Sequence, residues 1–231
     1  MKVIKFNLVV GELGDQKADA IVTASTEDLA PVSSYYADVF DKAGPELLSE
    51  IIDNNHVCEV GEALVTKGFD LNAKVIVHAV PPQFETEEDN WMVLLSTYAN
   101  AVIMGYEDGG AKSIVIPPLG LEEETKDIQA LASITYDGIF LGISQCRVIR
   151  EVTLCMPNET AASHFKHVFK AELAKGWSFG PDCPKCGEPA LPITYGLPTQ
   201  RDFMDPNFYS GGCIIRDDNP EWACRACEVE F

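Results

Sequence analysis

Two hydrophobic rhythms alternate along the chain: short apolar runs closed by Gly, Pro or charge, and longer stretches with apolar residues at helical spacing. Residues 3–10, VIKFNLVV, read as an opening strand, Glu12 to Asp19 as a charged loop and Ala20 to Ala24 as a second strand. Because Ala20-Ile21-Val22 is uniformly apolar, that strand belongs in the buried centre of a parallel sheet. Ser33 or Ser34 caps a helix starting near Tyr35, in which Tyr36, Val39, Phe40, Leu47, Leu48, Ile51 and Ile52 keep helical spacing and Gly44-Pro45 forces a division into two. Strand-like runs follow around 63–68 and 74–80. An amphipathic helix over 87–107 then presents Trp91, Leu94, Leu95, Tyr98, Val102 and Met104. SIVIPPLG, starting at Ser113, is the clearest buried strand. It precedes a helix over 125–143, a strand over 148–156 and one helix over 159–175, capped by Asn158 and ended by Gly176. Strands alternating with helices predict the α/β class with a largely parallel sheet.

In such sheets ligands sit beyond the carboxyl ends of the strands. Thr23, Ala24, Ser25 and Thr26 close the second strand and are therefore first-choice site positions, with Glu12 as a carboxylate beside the same crevice.

The pattern changes after Lys175. From Gly176 on, helical periodicity gives way to Gly, Pro, Asp and paired cysteines, which sets a domain boundary between 1–175 and 176–231. The 231 residues carry a formal net charge of −19, which disfavours gripping a phosphate backbone and makes direct nucleic-acid binding an unfavourable reading. No apolar run is long enough for a membrane span, and the N-terminal residues lack the pattern of a signal peptide, so a cytoplasmic location is expected. Acidic runs at 85–89 and 121–127 read as solvated turns and helix starts.

Four of the eight cysteines form two CxxC pairs, Cys183/Cys186 and Cys224/Cys227. Four thiolates suit a tetrahedral Zn²⁺, and neither pair opens a helix after a strand as a redox dithiol does, so the expectation is a closed, structural zinc site. The segment resembles a zinc ribbon. Its Lys and Arg are outnumbered by Asp and Glu, which favours stabilisation or a protein contact over nucleic acid. Cys213 is expected to be a small packed residue.

Within the first domain, Gly11-Glu12 and Asp19-Ala20-Ile21-Val22-Thr23-Ala24-Ser25-Thr26 keep the spacing of a macrodomain, the ADP-ribose-binding fold. Ala43-Gly44-Pro45-Glu46-Leu47-Leu48, Gly61-Glu62-Ala63, Lys74 to Val80 and Ser113 to Pro117 follow in that family's order. The resemblance implies a three-layer α/β/α sandwich and a crevice for ADP-ribose or a related adenine nucleotide. It implies that Glu12, with Leu13, meets adenine, and that Thr23 and Thr26, with Ser25 between them, stand where two Asn meet the distal ribose. Val32-Ser33-Ser34 replaces a glycine triplet that approaches the ligand, so Ser33 and Ser34 line the crevice. The Asp that activates water in hydrolytic members falls at Tyr36. A second phosphate loop maps to Pro118, Leu119, Gly120 and Leu121, followed by Glu122-Glu123-Glu124, whose charges oppose a pyrophosphate. These substitutions favour a nucleotide-binding module without turnover. A rearranged ADP-ribosyl hydrolase and a protein-interaction module with a vestigial crevice are the alternatives, and no catalytic residue is assigned.

Overall fold

The computed structural model describes residues 3–83, 89–121, 127–146, 148–178, 181–187, 190–197, 209–214, 216, 219–224 and 226–231. They form two compact units, Lys5–Gly176 and a smaller one of Met1–Ile4 with Trp177–Phe231.

The larger unit is built on β1 (Val3–Val10) from Lys5 onward, β2 (Ala20–Ala24), β3 (Ala63–Lys67), β4 (Val75–Ala79), β5 (Ser113–Ile116) and β6 (Glu151–Met156), in the order β3-β4-β2-β5-β6-β1. Neighbours run parallel except β3 and β4. The apolar run Ala20–Val22 lies in β2, whose five residues are all buried, inside the sheet as its sequence demands.

Helices α1 (Ser34–Ala43), α2 (Pro45–Asp53), α3 (Asp89–Glu107), α4 (Ile128–Cys146), α5 (Glu159–Val168) and α6 (Lys170–Lys175) complete the unit. In β4 the side chain of Val77 meets the α3 backbone at Gly105, whereas the ring of the next residue, His78, meets Phe40 of α1. Adjacent strand residues face opposite ways, so α1 and α3 cover opposite faces of the sheet. The unit is therefore a three-layer α/β/α sandwich. On the α3 side, α4 packs close because Gly138 and Gly142 leave room. A Cβ on Gly142 would stand 2.8 Å from the Ala99 carbonyl oxygen.

Gly44, at φ 85, and Pro45 at the first position of α2 separate α1 from α2 as expected. Asn158 caps α5 by accepting from Ala161 N–H at 2.9 Å. The single helix expected over 159–175 is two helices, broken at Phe169. The break seats that ring in the core, 5.3 Å from Tyr136 and 6.1 Å from Phe6 between centroids. The fourth helix begins later than its apolar spacing suggests, because Asp127 accepts from Ala130 N–H at 2.8 Å and fixes its start. Residues 87–88 and 125–126, expected in helices, lie outside the described residues, as does most of both acidic runs.

In the smaller unit, β7 (Trp177–Ser178) pairs antiparallel with Ile4 and Val3. A four-stranded sheet orders β11 (Val229–Glu230), β10 (Trp222–Cys224), β8 (Leu191–Thr194) and β9 (Tyr209–Ser210). Its core is small: Ala190, Leu191, Ala223, Cys183 and Cys224 are buried. Among the described residues no helix is long and apolar enough to cross a membrane.

Candidate functional site

The beginning of α1 lies over the carboxyl ends of several strands, and three contacts fix it there. Tyr35 donates its hydroxyl hydrogen to the Cys155 carbonyl at 2.8 Å, at the end of β6. Tyr36 donates to the Pro118 carbonyl at 3.0 Å, in the turn after β5. Val32 N–H donates to the Ala24 carbonyl, which ends β2. Burial, before any neighbouring group, holds the Tyr35 hydroxyl well above the ordinary phenol range, so it remains a donor.

The loop after β1 borders the same region. Gly11 N–H donates to the Met156 carbonyl at 3.1 Å, and Glu12, exposed, opens a short 3-10 turn over Leu13–Asp15. Gly14 N–H donates to Asp38 Oδ2 at 2.7 Å, and Lys42 Nζ bridges Asp15 at 2.7 Å and Asp38 at 2.8 Å. Two residues of α1 thus hold the turn that presents Glu12.

At the end of β2, Ser25 Oγ lies 3.2 Å from His78 Nδ1, while His78 Nε2 lies 2.9 Å from Thr66 Oγ1. Complete burial, then the nearby His56, pushes the His78 pKa down to about 3, so the ring is neutral and bridges two hydroxyls. Thr23 Oγ1 is buried with no hydrogen-bond partner among the described residues. Thr26 closes its own turn: its hydroxyl donates to Asp28 and accepts from Ala30 N–H at 3.1 Å, and its amide donates to the Ala30 carbonyl at 2.8 Å.

The turn after β5 is also internally bonded. Leu119 N–H donates to the Pro117 carbonyl and Leu121 N–H to the Pro118 carbonyl, with Gly120 at φ 76 between them. Tyr98, which accepts from Thr135, donates to the Leu119 carbonyl at 3.3 Å. Glu122, Glu123 and Glu124 lie outside the described residues.

Glu12, Ser33 and Ser34 are thus exposed, and Thr26, Gly120 and Leu121 are half-buried. Leu13, Thr23, Ser25, Tyr36, Pro118 and Leu119 are enclosed. The network brings together the loop at 11–15, the end of β2, the start of α1 and the turn at 117–121. Sequence reasoning missed the work of Asp38, Lys42 and His78. For His78 a signal existed, since a lone imidazole inside the apolar run KVIVHAV must find partners when buried.

In the smaller unit Cys183 Sγ lies 3.5 Å from Cys227 Sγ, and Cys186 Sγ 3.5 Å from Cys224 Sγ. All four sulfurs lie within 4.8 Å of one another, and Lys185 N–H donates to Cys183 Sγ at 3.4 Å. Tetrahedral thiolates at a Zn–S distance of about 2.3 Å stand about 3.8 Å apart, so the set fits one metal ion. Among the described residues no other group of three potential ligands converges in this way. Cys213, expected to be packed, is exposed, with its Sγ 3.8 Å from the Gly196 carbonyl. It follows Gly211 and Gly212, neither of which has a side chain to pack against it.

Residues 23–134 match the family model of the Macro domain. Ganglioside-induced differentiation-associated protein 2 of Xenopus laevis is 34% identical over 103 residues, which is 44% of this chain and 21% of that protein. A macro domain-containing protein of Listeria monocytogenes is 33% identical over 88 residues, 37% of this chain and 50% of the relative. The chain thus spans half or less of the length of these relatives. Among solved structures, the Trypanosoma brucei macrodomain in complex with ADP-ribose superposes with a TM-score of 0.62 at 21% identity, over 71% of this chain and 68% of that one.

Proposed function

Since the chain carries a macrodomain, we propose that its crevice binds ADP-ribose or a related adenine nucleotide and does so without turnover. The observation that carries this reading is the pinned arrangement around the start of α1. Glu12 stands exposed on a turn held by Asp38 and Lys42, and the amino end of a helix borders the same crevice, suited to an anion. Glu12 accepts the adenine amino group; Ser33 and Ser34 offer hydroxyls to ribose and phosphate, and Thr26, whose hydrogen goes to Asp28, keeps a lone pair for a ribose hydroxyl. Leu13, Thr23, Ser25, Pro118, Leu119, Gly120 and Leu121 shape the crevice, largely from beneath.

Absence of turnover rests on Tyr36. The residue at the position of the hydrolytic carboxylate is buried and donates to the Pro118 carbonyl, so it is a donor within the scaffold and no base for water. A single zinc held by Cys183, Cys186, Cys224 and Cys227 completes the proposal as a structural cofactor. With every ligand a cysteine it leaves no open position for chemistry.

The test is a protein substrate bearing ADP-ribose, incubated with the full chain. Retention of the label while the modified protein is captured is expected. Release of ADP-ribose that Glu12→Ala or Thr26→Ala abolishes would make the protein a hydrolase and overturn the reading.

A further inference from the structure

The sheet of the larger unit ends at β3, and that edge offers hydrogen bonds. Ala79 turns toward β2, where its carbonyl accepts from Ser25 N–H, whereas Val80 turns to the other side, where its N–H donates to the Glu62 carbonyl. Alternation along β4 therefore sends Ala79 and Val77 to β2. Ala63 lies opposite Ala79 and Val65 opposite Val77. Both are non-hydrogen-bonded positions of the β3–β4 pair, so their own N–H and C=O groups point outward.

Beside this edge is a cavity of about 600 Å³, lined by Ala63–Val65, by Val57 and Met104, and by the carboxylates Glu59, Glu62 and Asp108. Among the described residues no Lys or Arg lines it, and its one imidazole is that of His56. Val57 is 64% exposed, an apolar residue left in water. Burial, then Glu62 and Glu59, push the Cys58 thiol up to about 11, so the cavity presents no thiolate to a metal or an electrophile. Native edge strands are commonly blocked by inward charge, Pro or a bulge. Here a bulge, Gly61-Glu62 opposite Val80, precedes Ala63, and the one charge on the strand, Lys67, sits at its far end, 3.7 Å from Glu50.

We propose that β3 and this cavity dock an extended basic segment of a partner protein, which adds to the sheet as a further strand. Its backbone pairs with Ala63 and Val65, alternate apolar side chains enter the cavity over Met104, and Lys or Arg between them meet Glu59 and Glu62. The site is separate from the nucleotide crevice: β4 stands between β3 and β2.

The probe is a fluorescein-labelled seven-residue peptide of alternating Lys and Val, titrated into the full chain, with the same peptide N-methylated at alternate amides as a control of equal charge. Saturable binding is expected, weakened about tenfold by N-methylation, by Val65→Pro and by Glu59→Lys with Glu62→Lys, and not displaced by ADP-ribose. Hydrogen exchange at the Ala63 and Val65 amides is expected to slow when the peptide binds. Equal binding of the N-methylated peptide would reduce the attraction to diffuse charge and overturn the proposal. No saturation by about 1 mM peptide, or unchanged exchange at those two amides, would overturn it as well. Should Val65→Pro fail to fold, the paired carboxylate variant and the exchange pattern decide.

Discussion

Tyr36 in α1 donates its hydroxyl hydrogen to the carbonyl oxygen of Pro118, 3.0 Å away in the turn after β5. One bond thereby joins the helix start to the turn after β5. Tyr36→Phe keeps the ring but leaves the buried Pro118 carbonyl without this donor, at a cost of about 1–3 kcal/mol. The expected readout is a lower urea midpoint together with faster exchange of the Leu119 and Leu121 amides. An unchanged midpoint would mean that the turn holds itself.

His78 gives the larger unit a pH dependence whose sign is fixed by burial. Its pKa falls from an ordinary 6.5 to about 3 on folding, so the unfolded chain binds the proton first. The stabilisation is complete above about pH 6.5 and is lost as the pH falls from there toward 3, at up to about 1.4 kcal/mol per pH unit. Urea unfolding at pH 7 and pH 5 should show the decline in the native chain, and His78→Gln should flatten it. A decline that persists in the variant would assign it to other groups.

Asp19 acts in the same direction at lower pH. Lys74, at 2.7 Å, and the amides of Lys112 and Ser113 hold its carboxyl below the usual range. Its contribution is present above the ordinary carboxylate pKa and is lost as the pH falls through the depressed value. Asp19→Ala should destabilise the unit by about 1–3 kcal/mol at pH 7, because two amides at the start of β5 lose an acceptor. Nucleotide affinity should be unaltered in the folded fraction, since Asp19 sits at the amino end of β2, away from the crevice.

In the smaller unit, removal of metal is the decisive perturbation. So few buried residues cannot hold the strands alone, so Cys183→Ser with Cys224→Ser, or a strong chelator, should unfold the region beyond about residue 180 and leave the larger unit folded. Limited proteolysis would then trim the chain back to a stable fragment ending near Lys175. Elemental analysis should find one zinc per chain. Less than half an equivalent of any metal in carefully purified protein would contradict the site.

The fold was legible where one physical requirement dominates a stretch. Ala20-Ile21-Val22 has no polar side chain to offer water, and Gly44-Pro45 cannot continue a helix, so their placement followed from local chemistry. The macrodomain pattern was legible through the order of its motifs. Phe169 was not legible as a break, because its spacing suits one long helix and Phe6 and Tyr136, which help to draw it inward, are distant in sequence. The candidate site divides in the same way. The clustering of the four cysteines could be found from spacing. The roles of Asp38, Lys42 and Tyr36 depend on the crossing of α1 over strand ends, which no local pattern encodes. Thr26 illustrates the remaining gap: its hydroxyl could be counted from the sequence, but its engagement with Asp28 and Ala30 could not.

The central claim is that the crevice still recognises a whole nucleotide. Calorimetric titration of the zinc-replete chain with ADP-ribose, with AMP and ribose-5-phosphate as controls, tests it directly. The account predicts micromolar binding that requires the complete ligand and weakens about tenfold in Glu12→Ala. Absence of heat for all three ligands, in protein shown to be folded, would contradict it and leave the crevice a scaffold.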